Sequence, residues 1–386
     1  MPLGAHGPCR DTAAGNPAGG TGRFAIILQP AMLAAPLPDS AQIRRVMLIR
    51  PRFLGDVCLT LPALEAIRAA CPGARIAYVA EPAAAELLRG DPRIDELVVA
   101  PPRSGPARTL ALVARLRRFA PEVAFDFFCN PRTAVWTLMS GAPVRVGYPN
   151  KGWRSALYTH HARPRTLSAI GFHLASLAAL GWGARAGAPR LHVAEEARAE
   201  ARAALREEGV PPAARLVGFH PGARWPTRRW APERFAELAG RMLDHDPGAF
   251  ALVTGGPDEA QVVRGVVRQL PHARARAVIG WPIPRFVALQ SMCAAFVCGD
   301  TGPVHTAVAA GTPTLGLISR NRPAMFFPYE ARAGHRAYYA RAECSPCHRD
   351  VCEDLRCLER LTVDGAWALL KPMLERAAAG AAAAGR

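Results

Sequence analysis

The segment Gly299-Asp300-Thr301-Gly302-Pro303-Val304-His305 carries the sharpest chemical signal in the chain. It follows the apolar run 295–298 and opens a helix. Its backbone amides and the positive end of the helix would form an anion site suited to a pyrophosphate. Asp300 could accept hydrogen bonds from sugar hydroxyls, and His305 would stand on the first turn facing the same space. The competing reading is that Asp300 or Thr301 only caps the helix. A second segment, 220–230, also lies between a strand and a helix. Its Arg224, Arg228 and Arg229 suit phosphate, because guanidinium forks match phosphate oxygens. A solvated basic loop over a buried Trp230 is the alternative. A third segment, Arg52-Phe53-Leu54-Gly55-Asp56-Val57, sits at the first strand-to-helix turn. A lone carboxylate there could act as a general base, or Asp56 could be an N-cap.

Four of the ten cysteines, Cys344, Cys347, Cys352 and Cys357, fall within 14 residues. In a reducing compartment such spacing can mean a structural zinc rather than disulfides, with His348 as a spare ligand. The usual two-knuckle arrangement is incomplete, so unligated thiols are the competing reading. Cys58, Cys293 and Cys298 lie in apolar runs and read as core. Asp244-His245-Asp246, the one Asp-x-Asp, precedes Pro247-Gly248 and reads as a turn rather than a metal site.

The formal net charge is +17, and only two of the 48 basic residues are lysines. Residues 44–190 hold +12 of it, residues 191–386 hold +5, and residues 1–43 are neutral. No Asp or Glu occurs from 127 to 194, a stretch that holds Lys151, Arg154 and Arg163 among its cations, interleaved with Tyr148, Trp153 and Tyr158. This pattern suits an acidic acceptor, an anionic lipid surface or nucleic acid. The competing reading is the arginine excess of a GC-rich genome. No apolar run is long enough to span a membrane and no secretory signal is legible, so a cytoplasmic protein is the default expectation.

These segments need elements to hold them. Strands are expected at 46–50, 75–80, 96–100, 123–128 and near Gly147, alternating with helices from 57 to 70 (after a loop over 51–56), 82–88, 107–119 and 168–180. The second half repeats the plan. Strands are expected at 216–220, 250–254, 277–279, 295–298 and 314–318, with helices at 232–243, 258–270, 284–292 and 302–310. This βαβα order implies parallel sheets covered on both faces, in two Rossmann-like halves facing each other across a cleft. The expected division is a disordered extension over 1–43, a first domain over 44–190, a linker over 191–212, a second domain over 213–376 and a frayed tail over 377–386.

Neither G-x-G-x-x-G nor G-x-x-x-x-G-K-[ST] occurs, which argues against a dehydrogenase or a P-loop ATPase. Taken together, the segments resemble glycosyltransferase family 9, the bacterial lipopolysaccharide heptosyltransferases. The resemblance rests on Phe53-Leu54-Gly55-Asp56-Val57 with Thr60-Leu61-Pro62-Ala63-Leu64, on Pro221-Gly222-Ala223 with Arg228-Arg229-Trp230, and on Asp300-Thr301-Gly302-x-x-His305. The cysteine cluster is similar to the tail of the heptosyltransferase II-like branch.

The resemblance implies a GT-B fold and inverting transfer with no metal or cofactor in catalysis. The donor would be ADP-L-glycero-D-manno-heptose. The acceptor would be an acidic glycolipid of the lipopolysaccharide inner core, met at the anionic inner-membrane face. Asp56 is then the base, and Arg228 stands where the family usually has Lys. Thr301 and Gly302 add amides to the phosphate site, and Asp300 holds heptose hydroxyls. His305 lines the cleft. Asp258 or Glu259 takes the ribose, and Trp281 lies near adenine. Arg52, Lys151, Arg154 and Arg163 meet the acceptor. No nucleic-acid partner is expected. Two rival readings are the same fold acting on a protein or another surface glycan, and a basic nucleic-acid binder that leaves the donor segments unexplained.

Overall fold

The computed structural model describes residues 39–102, 105–149, 151–183, 187–347 and 349–384. Two six-stranded parallel sheets organise the chain. The first contains β1 (Arg45–Ile49), β2 (Arg75–Ala80), β3 (Glu96–Val99), β4 (Val123–Asp126), β5 (Val144–Gly147) and β6 (His160–His161) in the order β3-β2-β1-β4-β5-β6. The second contains β7 (Arg215–His220), β8 (Ala249–Gly255), β9 (Ala275–Ile279), β10 (Ala295–Gly299), β11 (Thr314–Ile318) and β12 (Arg336–Tyr339) in the order β12-β11-β10-β7-β8-β9. Counted from its own first strand, each sheet reads 3-2-1-4-5-6. The expected α/β, GT-B architecture is present.

The central strands are apolar along their whole length because helices cover both faces. In β1, Val46 and Leu48 enter one core while Met47 and Ile49 enter the opposite one. In β10, Ala295 and Val297 face one core, and Phe296 and Cys298 the other. Gly218 on β7 is required by this packing, since a Cβ there would lie 2.3 Å from Phe296 Cδ2.

This topology fixes where a site can form. The strand order reverses between β1 and β4 in the first sheet and between β7 and β10 in the second. Loops at the carboxyl ends of such neighbours diverge and leave a crevice. The turn holding Asp56 follows β1, and the turn Phe127–Cys129 follows β4. The arginine segment follows β7, and the Asp300 turn follows β10.

Several boundaries differ from expectation. Residues 39–43, assigned above to a disordered extension, form a turn capped by the Asp39 carboxylate, and Ile43 is buried. The linker is largely the helix Glu195–Glu207, whose Ala197 and Ala201 pack against Ala288 of the second half. An apolar stripe made mostly of alanine hides such a helix from a hydrophobic count. The helix expected at 258–270 is a short 3-10 turn, Pro257–Glu259, followed by Ala260–Val267. Strands β6 and β12 are additional. The helix Val363–Ala384 runs through residues expected to fray. The remainder of the extension, 1–38, lies outside the described residues, as does His348. No helix among the described residues is long and apolar enough to cross a membrane.

Candidate active site

Asp56 lies in the first turn of the helix Leu54–Ala70. Its Oδ2 accepts from the N–H of Phe53 at 3.3 Å, and since Phe53 is the N-cap and Asp56 the third helical residue, Asp56 is not itself the cap. Its Oδ1 pairs with Arg50 Nη2 at 2.8 Å. Arg50 leaves the end of β1 with only 11% of its side chain exposed. Its Nη1 donates to the Phe127 carbonyl at 2.6 Å, and its Cζ stacks 4.9 Å from the centre of the Phe128 ring. The Asp56 carboxylate is therefore held from two sides, and about a third of it remains open to solvent.

The loop that receives Arg50 is itself built on a buried carboxylate. Asp126 Oδ1 accepts from the N–H groups of Phe128 and Cys129 at 2.9 and 2.8 Å. Its Oδ2 accepts from the Tyr158 hydroxyl at 2.8 Å. Burial pushes the Asp126 pKa up, against the pull of these hydrogen bonds.

The second half meets Asp56 through the helix Gly302–Ala309. A Cβ on Gly55 would lie 2.5 Å from His305 Cδ2 and 3.3 Å from Gly302 Cα. The two helix starts thus touch at a glycine pair, which brings Asp56 to the turn that opens the helix Gly302–Ala309. His305 Nδ1 shares a 2.6 Å hydrogen bond with the Tyr329 hydroxyl. Burial lowers the His305 pKa, opposed by the charges of Asp300 and Asp56, so the ring is neutral near pH 7.

Asp300 is 2% exposed. Its Oδ2 accepts from Asn321 Nδ2, and its backbone carbonyl accepts from Arg228 Nη1 at 2.7 Å. Arg228 Nε and Thr301 Oγ1 are buried polar atoms with no partner in the protein. A helix N-terminus with unpaired side-chain polar atoms beside it is an arrangement that can take an anion. One expectation is corrected here. The Thr301 N–H already donates to the Gly299 carbonyl at 2.8 Å, so it is its hydroxyl that stands free. Pro303 has no N–H, which leaves the Gly302 amide as the next donor of the turn.

The loops after β8 and β9 close the far side. Glu259 Oε2 accepts from the Gly256 N–H at 2.8 Å and lies 3.5 Å from His220 Nε2. A Cβ on Gly222 would collide with that carboxylate at 2.1 Å, so the β7 and β8 loops touch. Asp258 is exposed and makes no such contact. Trp281 follows β9, half-buried, with Arg285 Cζ 5.6 Å from its ring centre. Its neighbour Gly280 has φ +67 and packs against Pro257.

The expected acceptor residues separate. Arg52 is exposed at the cleft mouth, its Cζ 5.4 Å from the Phe53 ring centre and 5.9 Å from that of Phe128. Lys151 and Arg154 lie on the turn after β5, where Arg154 Nε donates to the Lys151 carbonyl at 2.8 Å. Arg163, beyond β6, is exposed and makes no described contact with the cleft residues. The cysteine cluster divides as well. Cys344 is exposed, Cys357 is buried, and Cys352 donates to the Asp354 carbonyl at 3.0 Å. Among the described residues no group of three Cys, His, Asp or Glu side chains is set as metal ligands, while Cys344 and Cys347 lie near enough to Cys357 to add to the rise in its thiol pKa that burial causes. Arg50, Asn321 and Tyr329 were not singled out from sequence. The first ends an apolar strand, and the others belong to the loops beyond β11.

A family model described as glycosyltransferase family 9 (heptosyltransferase) matches residues 110–357. Lipopolysaccharide heptosyltransferase 1 of Pseudomonas aeruginosa is 24% identical over 318 residues, which is 80% of this chain and 87% of that protein. The crystal structure of a family 9 glycosyltransferase from Veillonella parvula superposes with a TM-score of 0.75 at 23% identity, over 87% of this chain and 99% of that one. The Escherichia coli ADP-heptose LPS heptosyltransferase II does so with a TM-score of 0.71 at 19% identity, over 86% and 99%. With a family model spanning well over half of its length, the chain belongs to glycosyltransferase family 9 and is a glycosyltransferase enzyme.

Proposed function

We propose that this enzyme moves a heptose, with inversion, from ADP-L-glycero-D-manno-heptose to an acidic acceptor of the lipopolysaccharide inner core. The observation that carries the reading is the glycine contact that sets Asp56 against the Gly302–His305 turn. One carboxylate in the acceptor half then faces one anion site in the donor half. The likeness to the Escherichia coli ADP-heptose enzyme supports the donor.

In this reading Asp56 takes the proton from the acceptor hydroxyl as that oxygen attacks the anomeric carbon opposite the departing ADP. A single base suits inversion, because nucleophile and leaving group act on opposite faces. Arg228, the Thr301 hydroxyl and the Gly302 amide receive the charge that develops on the pyrophosphate. Asp300 accepts from heptose hydroxyls, Glu259 from the ribose, and Trp281 flanks the adenine. No metal or cofactor takes part. Arg52, Lys151, Arg154 and Arg163 present positive charge to the acceptor, and the basic first half rests on the anionic cytoplasmic face of the inner membrane.

The test is transfer from ADP-heptose to heptose-free core lipid, read by mass spectrometry. A mass gain of one heptose is expected, and Asp56→Asn should slow it by about 10²–10⁴-fold, the usual worth of a positioned base. Undiminished transfer by that variant would remove Asp56 from its role.

A further inference from the structure

Two arginines at the cleft mouth have no acidic partner. Arg52 belongs to the first half, Arg224 to the second, and both are exposed. Arg224 Cζ lies 5.3 Å from the Phe53 ring centre and 5.1 Å from that of Trp225. Arg52 Cζ lies 5.4 Å from the same Phe53 ring. Neither guanidinium donates a hydrogen bond or pairs with a carboxylate among the described residues. Their neighbours differ. Arg50 pairs with Asp56, and Arg228 bonds to the Asp300 carbonyl.

Two cations gathered around one ring repel each other, and at exposed sites ring contacts offset this only weakly. The rings still hold the guanidinium planes while leaving their N–H forks free. That geometry matches an oxyanion, which would pair with both. Phe53 is also the residue whose N–H donates to Asp56. An anion seated over Phe53 is therefore placed one short step from the catalytic carboxylate.

We propose that Arg52 and Arg224, gathered by Phe53, form a clamp for the acid group of the acceptor, a sugar carboxylate or phosphate flanking the reacting hydroxyl. The inference rests on the acidic-acceptor reading above and deepens it. Because the clamp has one jaw on each half, the acceptor's own charge draws the two halves together over Asp56. The donor pyrophosphate offers the same chemistry, but the acceptor is favoured because Arg52 and Phe53 stand on the Asp56 side.

The experiment is equilibrium binding to the full chain, with three probes: ADP, heptose-free lipopolysaccharide in detergent, and the same lipid with its acid groups capped, in separate carboxyl-amidated and dephosphorylated preparations. Arg224→Gln and Arg52→Gln should each raise the Kd for the native lipid by about tenfold, the loss of one charge-assisted contact. Arg224→Lys should lose less, and the Kd for ADP should stay within about twofold of wild type. Wild type should bind one of the capped lipids as weakly as Arg224→Gln binds the native one. Weaker ADP binding with unchanged lipid binding would reassign the clamp to the donor. Unchanged binding of both, or wild-type binding indifferent to either cap, would overturn it. The readout is binding, so a protein that binds lipid through the clamp yet transfers nothing would count against the proposed reaction and not against the clamp.

Discussion

Arg50 holds Asp56 at 2.8 Å, and it does so from the last position before the β1 loop rather than from the helix that carries the carboxylate. The pair ties the end of the central strand to the first turn of the helix. It also extends to the β4 loop, because the other Arg50 nitrogen donates to the Phe127 carbonyl. A largely buried guanidinium left without its anion is costly, so the two charges specify each other's position.

Arg50→Gln is accordingly expected to lower kcat by about 10–100-fold, since a small misplacement of the base is enough for such a loss. Binding of ADP, proposed above to meet the other half, should be unaffected. Arg50→Lys should recover part of the rate, because the ammonium restores the charge but not the fork that reaches Phe127 and Asp56 together. Equal losses in Lys and Gln variants, or weakened ADP binding, would show that Arg50 does not act by positioning Asp56.

The glycine pair gives a second contrast. A methyl at Gly55 would meet His305 Cδ2 at 2.5 Å, whereas one at Gly302 finds its nearest neighbours at 3.7 Å. Gly55→Ala should therefore cost about 1–3 kcal/mol, as overpacking does, or push the two helix starts apart with loss of turnover. Gly302→Ala should leave the melting temperature near that of wild type. Parallel thermal unfolding of the two variants decides the point, and similar melting temperatures would contradict the packing described here.

Much of this was legible in the chain, for identifiable reasons. Long apolar strands separated by helical periods reveal a parallel sheet, because burial on both faces removes alternation. Asp56, Arg228 and Asp300 stood out because each occupies a strand-to-helix turn. Arg50 did not, since its partner is six residues away on another element and only the fold brings them together. Asn321, whose amide meets Asp300, was hidden for the same reason. The Thr301 amide was misjudged because its bond to Gly299 is a property of turn geometry, not of residue type. The cysteines were legible only as a spacing open to zinc or to unligated thiols, and the fold keeps Cys344 and Cys347 within electrostatic reach of Cys357.

Burial lowers the pKa of His173, His220, His305 and His335, with His220 and His335 pushed down to about 4. In the unfolded chain these rings titrate near 6.5. Between those values the unfolded state binds more protons, so stability is full above 6.5 and falls as the pH drops toward 4, by about 1.4 kcal/mol per pH unit for each proton. Asp126 acts in the opposite sense, because its raised pKa lets the folded state take up a proton first, so it offsets part of the loss. Urea midpoints measured across this window should decline on acidification, and His335→Gln should flatten the decline. A midpoint constant across the window would contradict the neutral burial of these rings.

Thr227 links the donor turn to the cysteine loop. It is 1% exposed, and its hydroxyl donates to the carbonyls of Arg349 and Asp350 at 3.0 and 3.2 Å. Its own carbonyl accepts from Ser319 at 2.6 Å, and Asp350 pairs with Arg320 at 2.7 Å. The residue next to Arg228 is thus braced from behind by the loop that carries Cys347 and Cys352. Thr227→Val keeps the shape but removes the one hydroxyl proton shared by these two partly buried carbonyls, at a cost of about 0.5–1.5 kcal/mol. Slackened bracing should also let Arg228 move, so the Kd for ADP should rise while binding of the heptose-free lipid stays unchanged. Thr227→Ser, which keeps the hydroxyl, should restore most of the ADP affinity. If the Val variant lost stability with ADP binding intact, the loop would support the fold without positioning Arg228.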